Sequence, residues 1–183
     1  MRKTSHLSWS EFNSLLNNMK GSKLRLLFAI QGYCGMRVGD VLCLKWGDVI
    51  GKDKVDIVEQ KTGKSRTIYL NKNVVDIINE EYREQHSHLY IFRSQYGNKP
   101  ITVSYVNQEL KRLFKKNGVE YSGNISSHLF RKTFGRRVMD VDNWSDKSLL
   151  LLNEIYGHAT IATTKIYLGI RQEEIKNVYH SLI

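Results

Sequence analysis

Cysteine and proline are nearly absent from this chain, with two of the first and one of the second among 183 residues. Cys34 and Cys43 cannot build a disulfide framework or a four-thiolate zinc site. In apolar surroundings such free cysteines behave as small buried hydrophobes. The single proline, Pro100, falls in a polar loop at residues 96–100. Apolar runs such as residues 24–30 and 149–152 fall far short of the roughly 20 residues a membrane helix needs. The N-terminus is polar through His6, with no apolar signal core behind it, and a cytoplasmic protein without membrane contact is expected.

Several chemistries lack their residues. Gly32, Gly35 and Gly39 have the wrong spacing for a phosphate-cradling or dinucleotide loop. The acidic residues are scattered, whereas two-metal hydrolysis needs several convergent carboxylates. Asp140, Asp142 and Asp146 resemble a calcium loop only faintly. Ser145 stands where that loop needs glycine, and Leu151 where it needs its closing glutamate. His86 and His88 have no evident third ligand. The expectation is no metal and no cofactor.

What the chain does have is positive charge. Lys and Arg total 28 against 18 Asp and Glu, a formal net charge of +10. Such an excess points to a polyanionic partner, most commonly nucleic acid. Hydrophobic content of 41% and charged content of 25% describe an ordinary globular protein. The length fits one domain with a real core.

Periodicity makes the fold mainly α with a small antiparallel β-sheet. Ser8 and Glu11 form a capping box for a helix with Phe12, Leu15, Leu16 and Met19 on one face. Residues 24–33 read as a strongly apolar helix ending at Gly35, and residues 36–46 as another helix from the spacing of Val38, Val41 and Leu42. Residues 55–58 and 67–70 read as strands joined by a glycine-containing turn at residues 61–64. Helix returns at 74–83, then from Thr102 or Ser104 through Phe114, with Lys111, Arg112, Lys115 and Lys116 on the exposed face. Ser126 and Ser127 cap a helix that carries His128 and Arg131 three residues apart, hence on one side. Residues 140–146 form a polar break before a helix at 147–156. Residues 172–183 read as an amphipathic tail helix aligning Ile175, Val178, Tyr179 and Leu182.

Gly157-His158 closes one helix, and Tyr167 follows nine residues later on the next. Taken alone, Tyr167 reads as a core aromatic. Taken with Arg37, Lys61, His128, Arg131 and His158, it completes a set spread over five segments. In order, Gly35-Met36-Arg37-Val38-Gly39-Asp40-Val41-Leu42, Lys61-Thr62-Gly63-Lys64, His128-Leu129-Phe130-Arg131 and Gly157-His158 through Tyr167 resemble the signature of the tyrosine recombinases. This integrase family includes Xer-type and phage enzymes. The resemblance runs from about Leu7 to the C-terminus. It implies the tyrosine recombinase catalytic-domain fold over residues 1–183, without the N-terminal core-binding domain of most members. Either the chain is an isolated catalytic domain or it is a short natural form like the fimbrial switch invertases.

The chemistry needs these residue types. At pH 7 only roughly one tyrosine in a thousand is ionised, a shortfall of about 4 kcal/mol. A site using Tyr167 as nucleophile on a phosphodiester must supply a proton acceptor and positive charge. His128 suits the base, because imidazole titrates near neutrality. Arg37 and Arg131 suit a clamp on the non-bridging oxygens, and His158 can donate a further hydrogen bond. The resemblance makes Lys61 the general acid for the leaving 5′-oxygen, with Lys64, three residues along the same turn, as competitor. Asp40 is expected to buttress Arg37. Lys132 stands where the family often has histidine, and Gly135 where it often has alanine, which would loosen that helix slightly.

The resemblance further implies duplex DNA as substrate, a 3′-phosphotyrosyl intermediate needing no metal, self-association as a tetramer on DNA and accessory DNA-bending proteins. Lys64, Lys111, Arg112, Lys115 and Lys132 are the candidate DNA contacts. The tail helix would dock on a neighbouring protomer or fold back on its own domain. A type IB topoisomerase shares the catalytic set, and a DNA-binding module without catalysis is the alternative from another class.

Overall fold

A computed structural model describes residues 6–84, 86–116 and 125–181, the side chains of 171–175 and 178 excepted. The described chain is mainly helical, with one two-stranded antiparallel sheet. It divides into two compact units, residues 1–133 and 134–183.

Unit 1 is built around a buried helix. Helix α1 (Trp9–Asn18) starts at the Ser8–Glu11 capping box and buries Phe12, Leu15 and Leu16. Helix α2 (Lys23–Cys34) is buried almost all round, as a helix at the centre of a core must be. Gly32 lets α1 approach closely, since a Cβ there would stand 2.2 Å from the Phe12 ring. Gly35, at φ 67°, ends α2 in the left-handed conformation that glycine adopts without penalty.

The expected single helix over residues 36–46 is instead two short ones, α3 (Val38–Leu42) and α4 (Trp46–Val49). The cause lies far along the chain. Ile91 N–H donates to the Leu44 carbonyl and Trp46 N–H to the Leu89 carbonyl, and Lys45 bridges to Tyr90. Backbone groups engaged with a distant segment cannot also close helical turns.

Strands β1 (Lys54–Val58) and β2 (Ser65–Tyr69) pair from Lys54↔Tyr69 to Val58↔Ser65. Gly63, at φ 67°, turns the chain between them. Helix α5 (Lys72–Glu81) buries Val74, Ile77 and Ile78, and α6 (Val103–Lys116) buries Val106, Leu110 and Phe114. Thr102 is the residue that accepts from the Tyr105 N–H at the start of α6. Helix α7 (His128–Val141) begins in unit 1 and runs into unit 2. Its Phe130 stacks on Phe28 at 4.2 Å between centroids and faces Phe12 at 6.1 Å. That anchor in the core fixes the face carrying His128 and Arg131.

Unit 2 holds the rest of α7 with α8 (Asp146–Tyr156), α9 (Ile161–Leu168) and α10 (Ile170–Ser181). Its core is Met139, Leu149, Leu152, Tyr156, Leu168 and Ile170. Gly135 has a packing reason: a Cβ there would meet the Tyr156 hydroxyl at 2.2 Å and the Leu168 side chain at 2.6 Å. In the tail, Tyr179 is exposed, while Leu182 and the side chains of Ile175 and Val178 lie outside the described residues. No helix among the described residues is long and apolar enough to cross a membrane.

Candidate active site

Arg37 is the N-cap of α3, directly after the Gly35 turn, and is mostly buried. Its guanidinium forms an ion pair with Glu59 Oε1. Glu59 follows Val55 and Ile57 on the inward side of the hairpin, so alternation along the strand delivers a carboxylate to the interior. Its side chain is only 3% exposed. Arg66 Nη1 reaches the same oxygen at 2.9 Å, and the Thr62 hydroxyl donates to Oε2 at 2.6 Å. Burial opposes ionisation of Glu59, but bonds from Thr62, Arg66 and Arg37 outweigh it and hold the carboxyl at about 2, against an ordinary 4.5.

Glu59 also closes the turn that carries Lys61. Its N–H donates to the Lys64 carbonyl at 2.9 Å, and its carbonyl accepts from Gly63 N–H at 2.8 Å. Asp40 Oδ1 accepts from the Gln60 N–H at 3.0 Å, tying α3 to the residue beside Lys61. Asp40 thus bears on the hairpin, and Glu59 supplies a carboxylate to Arg37. Sequence reasoning missed Glu59. The signal was a charged residue at an inward position, two before the lysine.

Arg131 is 4% exposed, and its Nη1 donates to the Gly35 carbonyl. The same glycine turn therefore leads into Arg37 and orients Arg131. Asn107 Oδ1 on α6 accepts from Ser127 N–H at 2.8 Å, pinning the residue before His128. His128 is open to solvent at its surface. Its pKa is nonetheless lowered from the ordinary 6.5, first by the crowding that strips its hydration, then by Arg131, Lys132, Lys61 and Arg37. Those four cations are thus gathered around one imidazole. Lost hydration first and these cations second favour the neutral imidazole, the form that can accept a proton.

Of the remaining candidates in unit 1, Lys64, Lys111, Arg112 and Lys115 are exposed. Arg112 is ion-paired with Glu109 one helical turn away, which partly neutralises that stretch of α6.

His158 and Tyr167 lie in unit 2. Gly157, at φ 60°, ends α8, and His158 N–H returns to the Asn153 carbonyl at 3.2 Å. Thr160 then caps α9 by accepting from Thr163 N–H. Arg136 Nε of α7 donates to the Leu168 carbonyl at 3.0 Å, holding the turn of α9 that carries Tyr167. Tyr156, His158 and Tyr167 form a triangle of rings, with centroids 5.2 to 5.3 Å apart. His158 Nδ1 lies 2.9 Å from the Thr164 hydroxyl, which donates to Asn153 Oδ1 at 2.8 Å. Neither Thr164 nor Asn153 stood out in the sequence. Thr164 shares the buried stripe of α9 with Leu168, and a hydroxyl in such a stripe was the available signal. Among the described residues no three His, Cys, Asp or Glu side chains converge as a ligand set for a metal.

Known proteins resemble this chain in sequence and in fold. A family model described as the phage integrase family matches residues 6–174. Probable integrase/recombinase YoeC of Bacillus subtilis is 28% identical over 165 residues, covering 90% of this chain and 86% of YoeC. Tyrosine recombinase XerC of Leptospira interrogans is 31% identical over 150 residues, covering 79% of this chain and 46% of XerC. Transposase A from transposon Tn554 of Staphylococcus aureus is 26% identical over 182 residues, covering 90% of this chain and 48% of the transposase. The chain therefore spans about half the length of XerC and of the transposase.

The fold matches XerH site-specific recombinase bound to palindromic difH substrate, at TM-score 0.67 and 23% identity, over 97% of this chain and 54% of XerH. It also matches a lambda integrase tetramer bound to a Holliday junction, at TM-score 0.69 and 20% identity, over 91% of this chain and 48% of the integrase. The chain belongs to the phage integrase family and has the catalytic-domain fold of the tyrosine recombinases.

Proposed function

We propose that the chain is the catalytic part of a site-specific DNA recombinase, acting on duplex DNA inside the cell through a 3′-phosphotyrosyl intermediate. The observation that carries this reading is the gathering of Arg37, Lys61, Arg131 and Lys132 around His128, which favours the neutral form of its ring. A phosphodiester attracts such a group of cations, and a neutral imidazole among them can take a proton from a phenol.

The step balances without a cofactor. Tyr167 Oη attacks phosphorus and gives its proton to His128. Arg37, Arg131 and His158 stabilise the charge on the non-bridging oxygens. The bond to the 5′-oxygen breaks, and that oxygen takes a proton from Lys61. Lys64, exposed at the other end of the turn, is assigned to a DNA phosphate, together with Lys111, Lys115, Lys132 and the partly neutralised Arg112. The phosphotyrosyl bond conserves the energy of the broken linkage, so a 5′-hydroxyl from another strand reverses the step with no metal. Glu59 holds Arg37 and the Lys61 turn in one network, the preorganisation that such electrostatic catalysis requires.

Assembly as a tetramer on DNA belongs to this proposal, supported by the match to a lambda integrase tetramer on a Holliday junction. So do accessory DNA-bending proteins. The test is covalent trapping on nicked duplex DNA from the flanks of the gene, without added metal. Wild type should give an adduct stable to denaturation, and Tyr167→Phe none. An adduct that survives in Tyr167→Phe would overturn the nucleophile assignment.

A further inference from the structure

Unit 2 contains a hydrogen-bonded chain whose direction can be read from end to end. Asn153 Nδ2 lies 3.2 Å from the His158 carbonyl oxygen, an atom that can only accept. This fixes the amide: turned over, it would set Oδ1 against that carbonyl, two acceptors face to face. Asn153 Oδ1 therefore faces the Thr164 hydroxyl at 2.8 Å and takes its proton. Thr164 is fully buried, so its hydroxyl has no bulk water to turn to. A hydroxyl has one proton. With that proton on Asn153, the Thr164 oxygen can only accept from His158 Nδ1, 2.9 Å away.

We infer that Asn153 and Thr164 are positioning residues that hold His158 as its Nδ1–H tautomer, so that it can donate from Nε2 to a phosphate only as an imidazolium. In the neutral ring one nitrogen carries the proton and the other is an acceptor, and the bond made by the first sets the state of the second. A bare Nε2 lone pair facing a phosphate oxygen is repelled. Engagement of His158 with phosphate thus brings a proton onto the ring and adds a positive charge to the site. This consequence rests on the function proposed above; the tautomer does not.

The test is a set of long-range 1H–15N NMR spectra of the histidine-labelled full chain without DNA, at about pH 8, where an ordinary imidazole is neutral. A His158→Gln variant assigns the signal. Wild type and Thr164→Ser should show the protonated nitrogen at Nδ1 and the bare one at Nε2. Thr164→Val, similar in shape but without the hydroxyl, should move the proton toward Nε2. A wild-type ring protonated at Nε2, or an unchanged tautomer in folded Thr164→Val, would overturn the inference. Should Thr164→Val fail to fold, the wild-type and Thr164→Ser spectra still decide the tautomer.

In the trapping assay Thr164→Ser should form adduct within about twofold of wild type. Thr164→Val should be slower on the order of tenfold at saturating DNA, the scale seen for outer-shell partners of histidine ligands. Equal rates for Thr164→Val and wild type would overturn the link to catalysis. Because the spectra need no DNA, they settle the tautomer even if wild type forms no adduct, a result that would count against the proposed function instead.

Discussion

Replacing Glu59 by glutamine removes the negative charge that Arg37 and Arg66 share while keeping nearly the same shape. The amide can still accept from Thr62, so the change isolates charge from packing. A carboxyl held at about 2 against an ordinary 4.5 is worth about 3 kcal/mol of extra preference for the ionised form in the fold. Both arginine side chains are 19% exposed, and this residual hydration brings the expected loss to about 2–3 kcal/mol at pH 7, below the 3–5 kcal/mol typical of a broken fully buried pair. The sign with pH follows from the depressed value. The contribution is complete above about pH 4.5 and is lost as pH falls through about 2. Urea unfolding of wild type and Glu59→Gln across that range should show a gap that is full at neutral pH and closes in acid. A gap below about 0.5 kcal/mol at pH 7, or one that does not shrink toward pH 2, would refute the reasoning. The same variant should form adduct more slowly than wild type, because Arg37 and the Lys61 turn lose their shared anchor.

Gly135→Ala should destabilise unit 2 by about 1–3 kcal/mol through overpacking against Tyr156 and Leu168, although alanine is the better helix former by about 1 kcal/mol; thermal unfolding followed by circular dichroism reads the sign, and a raised midpoint would contradict the packing account. The imidazole of His128 should titrate by NMR below the ordinary 6.5 and move up in Lys61→Ala, since burial comes first and the four cations second among the causes. Adduct formation should then rise with pH through that midpoint, as the base loses its proton.

Local signals carried much of this structure. The Ser8–Glu11 capping box, the Gly35 stop and the Gly63 hairpin each rest on neighbours in sequence, and each lies where the sequence places it. The fold class was legible for the same reason: helical and strand periodicities are short-range properties. The break at residues 43–45 was not, because it depends on backbone bonds to residues 89–91, more than forty positions away. The candidate site divides in the same manner. Arg37, Lys61, His128, Arg131, His158 and Tyr167 stand in motifs of fixed spacing. Glu59, Asn153 and Thr164 act through partners that only the fold brings to them. Gly135, read as a slight loosening of its helix, is in fact the place where α7 makes room for Tyr156 and Leu168.

The central claim is that Tyr167 makes a bond to DNA phosphate. Mass spectrometry of the trapped wild-type chain after nuclease and trypsin digestion tests it most directly. Cleavage after Lys165 and Arg171 releases a peptide of residues 166–171 with a single tyrosine. The account predicts a nucleotide joined through its 3′-phosphate to Tyr167 in that peptide. A nucleotide on any other residue, with this peptide unmodified, would contradict it.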